Sequence, residues 1–256
     1  MNSAPPAVQR EALVSERSAV PDWRSPHSAI RHLRSHVWLW TMAIVLLAGD
    51  LVTKSAAFEN LKRGESRTLI PGFLNVELSL NAGALFGMGP GLVWLFVLAS
   101  VAALAFVVYL FSTSRRSQRV VHLALALLLS GALGNLYDRI TVRYDIATVR
   151  TADGANRIWI GHVLDDSDPQ VVRVRSWGSS GRHEIRRDRI VDGFRSSGVV
   201  RDFLRITPEI GGRPIYPWIF NVADAYLVVG VAVLMISYVV EHRRRIRRSP
   251  GDEADA

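Results

Sequence analysis

The sequence predicts an all-α membrane protein: a four-transmembrane-helix bundle with a small extracytoplasmic β-element and an additional β-rich insert between the third and fourth spans. Three observations carry that prediction. Four apolar runs, about Val37–Phe58, Gly91–Phe111, Val120–Leu136 and Ile219–Val240, approach or exceed the roughly 20 residues that cross a bilayer as helix. Basic residues cluster in the N-terminal tail (Arg10, Arg17, Arg24, Arg31, Arg34), between runs two and three (Arg115, Arg116, Arg119) and after run four (Arg243, Arg244, Arg245, Arg247, Arg248). With four spans all three clusters fall on one side, which the positive-inside rule makes the cytoplasm. The polar stretches on the other side show the two-residue alternation of strands.

The bulk numbers agree with this layout. The chain is 49% hydrophobic, and its net charge of +8 would suggest nucleic acid in a soluble protein. Topology already uses that charge, so no nucleic-acid partner is expected. There is no cysteine, which excludes disulfides, thiolate nucleophiles and cysteine metal sites. The polar start is too long for the n-region of a cleavable signal peptide, and the first apolar run continues to spanning length.

Residues 1–36, rich in Pro, Ser and Arg, read as a disordered basic cytoplasmic tail. Residues 37–140 hold spans one to three, with an extracytoplasmic loop at 59–90. Trp38 and Trp40 open the first span, as in an interfacial aromatic belt. Inside it, D-L-V-T-K places Asp50 and Lys54 at i,i+4, on one helix face and in the better order for pairing. A structural ion pair near the outer interface, snorkelling to water, accounts for them better than direct chemistry does. Leu69–Leu80 alternates like a strand or two and leads into N-A-G-A-L-F-G-M, Asn81–Met88. That segment reads as closely packed backbone or a short amphipathic stretch on the membrane.

Span two carries no charge and reads as scaffold. Span three ends in S-G-A-L-G-N-L-Y-D-R-I, where Gly131, Gly134, Asn135 and Asp138 share one helical face. Glycines there permit close helix approach, and a buried Asn135 amide needs partners. Residues 141–197 form the insert. R-I-W-I-G-H-V-L and Q-V-V-R-V-R-S-W read as strands of a small antiparallel subdomain, divided by D-D-S-D-P. Asp165, Asp166 and Asp168 there read as a turn rather than a calcium loop, which would need a glycine and a terminal glutamate. Residues 198–240 hold the fourth span and its approach, and 241–256 a second basic cytoplasmic tail.

Two carboxylates mark 198–240: Asp202 just before the span and Asp224 a turn inside it. An ionisable group in hydrocarbon costs about 2.5–3.5 kcal/mol on insertion scales, so such a residue is a functional candidate. Asn221 and Asp224 are i,i+3 and share a face. If that face meets Gly131–Asn135, a polar pocket forms at the outer interface. Two close carboxylates share a proton; one can then activate a water while the other polarises a carbonyl. On spacing alone, two unrelated acids capping helices fit equally well.

D-L-V-T-K, N-A-G-A-L-F-G, G-x-x-G-N-L-Y-D-R, G-V-V-R-D-F and F-N-V-A-D occur in an order that resembles the lipoprotein signal peptidases (signal peptidase II), over about Val37–Ile140 and Gly198–Val240. The resemblance implies a four-span intramembrane aspartic endopeptidase of the bacterial cytoplasmic (inner) membrane. Such an enzyme, working as a monomer without metal or cofactor near the outer face, removes signal peptides from diacylglyceryl-modified prolipoproteins just before the lipidated cysteine. Asp202 and Asp224 match its catalytic pair. Asp50, Lys54, Asn81, Gly83, Asn135, Asp138, Arg139 and Asn221 match its supporting and substrate-binding polar positions, with membrane lipids as further partners. A small β-element and a helix over the site would suit Leu69–Met88.

There are departures. The family has two alanines where this chain has Ala84-Leu85, two glycines where it has Ser130-Gly131, and only a few residues where it has the insert. The insert also carries D-R-I-V-D-G-F, whose Asp192 competes with Asp202 for the first acid; Gly198-Val199-Val200 and Phe203 favour Asp202. Two other classes stay open on the residues alone. One is a small proton- or ion-coupled transporter subunit, with intramembrane acids as a relay; the other is a non-catalytic lipid-binding protein, with polar residues as interhelical glue.

Overall fold

The computed structural model describes residues 37–83, 93–113 and 119–247. The expected N-terminal tail, most of N-A-G-A-L-F-G-M with Leu85, Arg115 and Arg116, and the C-terminal residues from Arg248 onward lie outside them. Of two compact units, Met1–Trp38 and Leu39–Ala256, the first enters the described residues only as Val37 and Trp38, the opening of a helix.

Four long helices follow the apolar runs. Helix α1 (Val37–Asn60) stops where Asn60 Nδ2 turns back to donate to Ala56 O at 2.8 Å and Gly64 takes φ +85°. Helices α2 (Val93–Thr113), α3 (Arg119–Thr141) and α4 (Val222–Arg247) complete the set. Helix α3 is the buried middle, its residues Ala124–Ala132 almost wholly covered. Glycine lets its neighbours close on it: a Cβ on Gly131 would lie 2.6 Å from Ala223 O of α4, and one on Gly134 2.3 Å from Asp50 Oδ2 of α1. Ser130 Oγ lies 2.9 Å from Ala43 O and 2.7 Å from Ala126 O, so its hydroxyl is spent within and between helices.

The strands build three sheets. The first, in order β1-β2-β8-β11, is antiparallel throughout: β1 (Ser66–Ile70), β2 (Leu74–Asn81), β8 (Val200–Ile206) and β11 (Ile219–Phe220). Strand β2 pairs Ser79 with Asp202 and Asn81 with Val200. The second sheet, β6-β5-β4-β3-β7, is the insert: β3 (Arg143–Arg150), β4 (Asn156–Asp165), β5 (Val171–Ser176), β6 (His183–Arg186) and β7 (Arg195–Gly198). It encloses its own core of Val172, Val174 and Ile185, with Trp159 and Phe194 edge to face at 5.3 Å. A hairpin of β9 (Glu209–Ile210) and β10 (Arg213–Pro214) turns at Gly211 and Gly212, both at positive φ as a two-residue turn of this hand requires.

The all-α bundle of four spans is corrected on two counts. Among the described residues there are four long helices but eleven strands in three sheets. Among the described residues, three helices are long and apolar enough to span: α1, α3 and the Val222–Arg243 part of α4. The reason is physical. Hydropathy weights the long apolar runs, whereas the polar sequence between them also folds into strands, some paired with neighbours and some, β2 with β8 and β3 with β7, far along the chain. The sequence of β8 suggests an approach to the last helix, yet the strand pairs with β2 across more than a hundred residues. The start of the fourth run, Ile219 and Phe220, is likewise strand rather than helix.

Candidate active site

Two helix segments and one strand meet at the junction of the first sheet and the helices. Asn221 precedes α4 and Asp224 lies in its first turn, and they cap the helix reciprocally. Asp224 N–H donates to Asn221 Oδ1 at 3.0 Å, and Asn221 N–H donates to Asp224 Oδ2 at 3.2 Å. This is a capping box, which satisfies two of the donors a helix start leaves orphaned. The rest of each side chain stays free for other work. Asn221 Nδ2 donates to Asp202 Oδ1 at 2.6 Å and to Asn135 Oδ1 at 3.1 Å. Asn135 Nδ2 donates to the other Asp224 oxygen at 2.8 Å.

Asn221 therefore bridges the two acids. Asp202 enters from β8, where Val199, Val200 and Phe203 are buried around it and it is itself 2% exposed. Its carboxyl is pushed up to about 7: burial raises it most and the charge of Asp224 adds, against hydrogen bonds from Asn221 and Asn81 and the charge of Lys54. Asp224 is only half-buried, so the pair is open on one side. Tyr216, just before β11, has its phenol raised by burial, then by Asp224 and Asp202, which places it in the field of both acids.

A second polar layer lies beneath. Lys54 is fully buried; its Nζ donates to Asp50 Oδ2 at 2.8 Å and Asn135 Oδ1 at 3.1 Å, with Asp138 Oδ2 at 3.6 Å. Asp50 Oδ1 accepts the N–H of Ala223 at 2.8 Å, a third orphan donor of α4. Asp138 accepts Arg201 N–H at 2.9 Å and the Arg201 guanidinium at 2.8 and 3.1 Å. Two buried acids are thus matched by one buried lysine and one arginine, the balance a buried ionic cluster needs. Arg139 stands in the field of Asp224, Asp202 and Asp138. At the end of β2, Gly83 N–H donates to Asn81 Oδ1 at 2.9 Å with φ +74° at the glycine.

The structure brings Asp50, Lys54, Asn135, Asp202, Asn221 and Asp224 into one hydrogen-bonded group, which Asp138 joins through its ion pair with Lys54. Asp192 is elsewhere: it accepts Thr148 N–H at 2.7 Å and Thr148 Oγ1 at 3.0 Å, and pairs with Arg195 at 2.6 Å. Asp165 and Asp168 accept turn N–H groups of Ser167, Gln170 and Val171. Sequence reasoning missed Arg201, Ser55 and Tyr216. Arg201 adjoins Asp202 in G-V-V-R-D-F, and its guanidinium also reaches Ser55 Oγ at 3.3 Å. Nothing in the spacing announces that it crosses to Asp138, since that contact depends on β8 being a strand.

A family model described as Signal peptidase (SPase) II matches residues 42–240. A lipoprotein signal peptidase of Desulfitobacterium hafniense is 29% identical over 206 residues, 80% of this chain and 95% of its own. One from Rhodococcus jostii is 36% identical over 138 residues, 54% of this chain and 68% of its own, and one from Listeria monocytogenes 30% over 132 residues, covering 52% and 84%. A bacterial membrane enzyme solved at 2.3 Å aligns over 80% of this chain and 88% of its own, at TM-score 0.51 and 23% identity, a likeness of fold.

Proposed function

The chain belongs to the signal peptidase II family, and on that premise we propose that it is an aspartic endopeptidase in which Asp202 and Asp224 activate water between them. It is a membrane-bound protease of the family that removes signal peptides from prolipoproteins. The finer reading places it in the bacterial inner membrane as a monomer, with both termini cytoplasmic and the site near the outer face. Its substrate is the diacylglyceryl-modified prolipoprotein, cut just before the lipidated cysteine.

One observation carries the mechanism: Asn221 joins the two acids, and Asp202 is buried deeply enough to hold a proton near neutral pH. Asp224 lies in the first turn of α4, where the helix dipole favours negative charge, and serves as the base. It takes a proton from water as the water oxygen bonds to the scissile carbonyl carbon. Asp202 gives its proton to the carbonyl oxygen, forming a neutral gem-diol. The C–N bond then breaks as Asp224 returns its proton to the leaving nitrogen and Asp202 recovers one from the diol hydroxyl. Asp202 is favoured over Asp192 because Asp192 shares none of these partners and is held by Thr148 and Arg195.

The test is cleavage of a diacylglyceryl-modified prolipoprotein, and of its unlipidated counterpart, by purified protein in detergent. Wild type is expected to cut only the lipidated form. Asp202→Asn and Asp224→Asn should abolish cutting and Asp192→Asn should keep it. Loss in Asp192→Asn alone would move the site into the insert, and a folded wild type that cuts nothing would end the reading.

A further inference from the structure

The insert is joined to the site at both ends. Its first strand β3 continues directly from α3, and its last strand β7 runs through Val199 into β8. Their bases are zipped together: Arg143 pairs with Gly198, and Val199 N–H donates to Val142 O at 3.0 Å. A third attachment is less expected. After β5 the chain turns at Trp177, whose N–H still donates to Ile160 O of β4 at 2.9 Å while its side chain reaches out to α1. Its ring stacks on Phe58 at 6.0 Å between centroids and 28° between planes. The Arg63 guanidinium lies 5.3 Å above it, while Arg63 Nη1 donates to Trp177 O at 2.8 Å. Gly178 takes φ +73°, and a Cβ there would come 2.4 Å from that of Arg63, so the backbone approach is tight.

Trp177 touches two buried clusters at once. One contains Leu80, Ala82, Ile146 and Val199, and the other Ala57, Leu78 and Phe203. Phe58 belongs to both and lies one helical turn beyond Lys54, next to Ala57; Phe203 follows Asp202 directly. We propose that Trp177 is a positioning residue for the reaction: it holds the last turn of α1 against β8, and so keeps Lys54 and Ser55 in register with Arg201 and Asp202. The inference rests on the protease reading above, and it gives the insert a part in catalysis that is mechanical rather than chemical. An aromatic ring wedged between two elements does this well, because a rigid side chain loses little entropy when fixed and buries a large area. A small displacement at that distance from the chemistry is enough to cost rate, about a hundredfold for 1 Å in well-organised sites.

The experiment measures kcat and KM on the lipidated substrate for full-length wild type, Trp177→Ala, Trp177→Phe, Phe58→Ala and the double variant Phe58→Ala/Trp177→Ala. Each is corrected for folded fraction by thermal unfolding in detergent. Trp177→Ala is expected to lower kcat by about tenfold or more with KM nearly unchanged. Trp177→Phe, which keeps a ring on Phe58, should recover most of it, and the double variant should be no worse than the more impaired single one. Unchanged kcat in folded Trp177→Ala, no recovery in Trp177→Phe, or additive losses would overturn the proposal. If Trp177→Ala does not fold, Arg63→Gln replaces it. A several-fold lower kcat then supports the proposal, and wild-type kcat overturns it. A wild type that cuts nothing would sink the protease reading itself, a result distinct from variants that all cut like wild type.

Discussion

At the residue scale the site depends on side chains that each serve two partners. Asp202 is the clearest case for pH. Its carboxyl is raised from 3.8 to about 7, so the folded protein holds a proton there that the unfolded chain has already released. Two consequences have fixed signs. If Asp202 delivers that proton as proposed, cleavage should fall as pH rises through about 7. Stability should be highest below about pH 4 as far as this group is concerned, decline between there and about 7, and level off above. Asp202→Asn should flatten the slope and raise the unfolding midpoint at pH 8 while abolishing cleavage, as thermal unfolding across pH would show. Lys54 makes the opposite case. Lys54→Met leaves Asp50 and Asp138 buried with only Arg201 to balance them, and removing one member of such a cluster costs about 3–5 kcal/mol. The expected result is a much lower unfolding midpoint in detergent, more severe than for any exposed charge.

At the element scale, the start of α4 is where structure and chemistry share atoms. Asn221→Ala removes a helix cap, worth about 1 kcal/mol, and also the bridge between the acids. It should therefore lose cleavage far out of proportion to the stability it loses, a comparison that rate and unfolding measured together would settle. Gly134→Ala is expected to fail differently: the new methyl would meet Asp50 Oδ2 at 2.3 Å and separate α1 from α3, lowering both together. The sequence made much of this legible. The i,i+4 spacing of Asp50 and Lys54, the glycine face of α3 and the i,i+3 pair in F-N-V-A-D are helical patterns, and helical patterns are local. Strand pairing is not. The seven residues of β8 are too mixed to alternate clearly, so the sequence places Asp202 in an approach to a helix. Arg201 is hidden for the same reason, because its partner depends on that strand.

At the scale of the whole molecule, the surface of the insert contrasts with the buried cluster. Arg173 lies 3.2 Å from Asp165 and 3.4 Å from Glu184, all well exposed. Exposed pairs are worth about 0–1 kcal/mol, so Arg173→Gln should shift the unfolding midpoint hardly at all and leave cleavage intact. The insert's own core of Val172, Val174 and Ile185 explains why it can exist as an excursion from the main chain. Its presence was readable from alternation and from the length of polar sequence between two apolar runs. Its return to α1 through one tryptophan was not, because a lone aromatic in a turn carries no address.

The paired bases of β3 and β7 have an evolutionary corollary. Arg143 and Gly198 stand side by side, so the chain leaves the helical scaffold and re-enters the main fold at a single doorway. Such a doorway is a natural graft point: sequence of any length can be spliced there while both flanks keep their places. A lineage could acquire, lengthen or exchange this module in one genetic event without rebuilding its enzyme. If Trp177 braces the site, the graft has ceased to be a passenger, and the scaffold that tolerated it has come to depend on it.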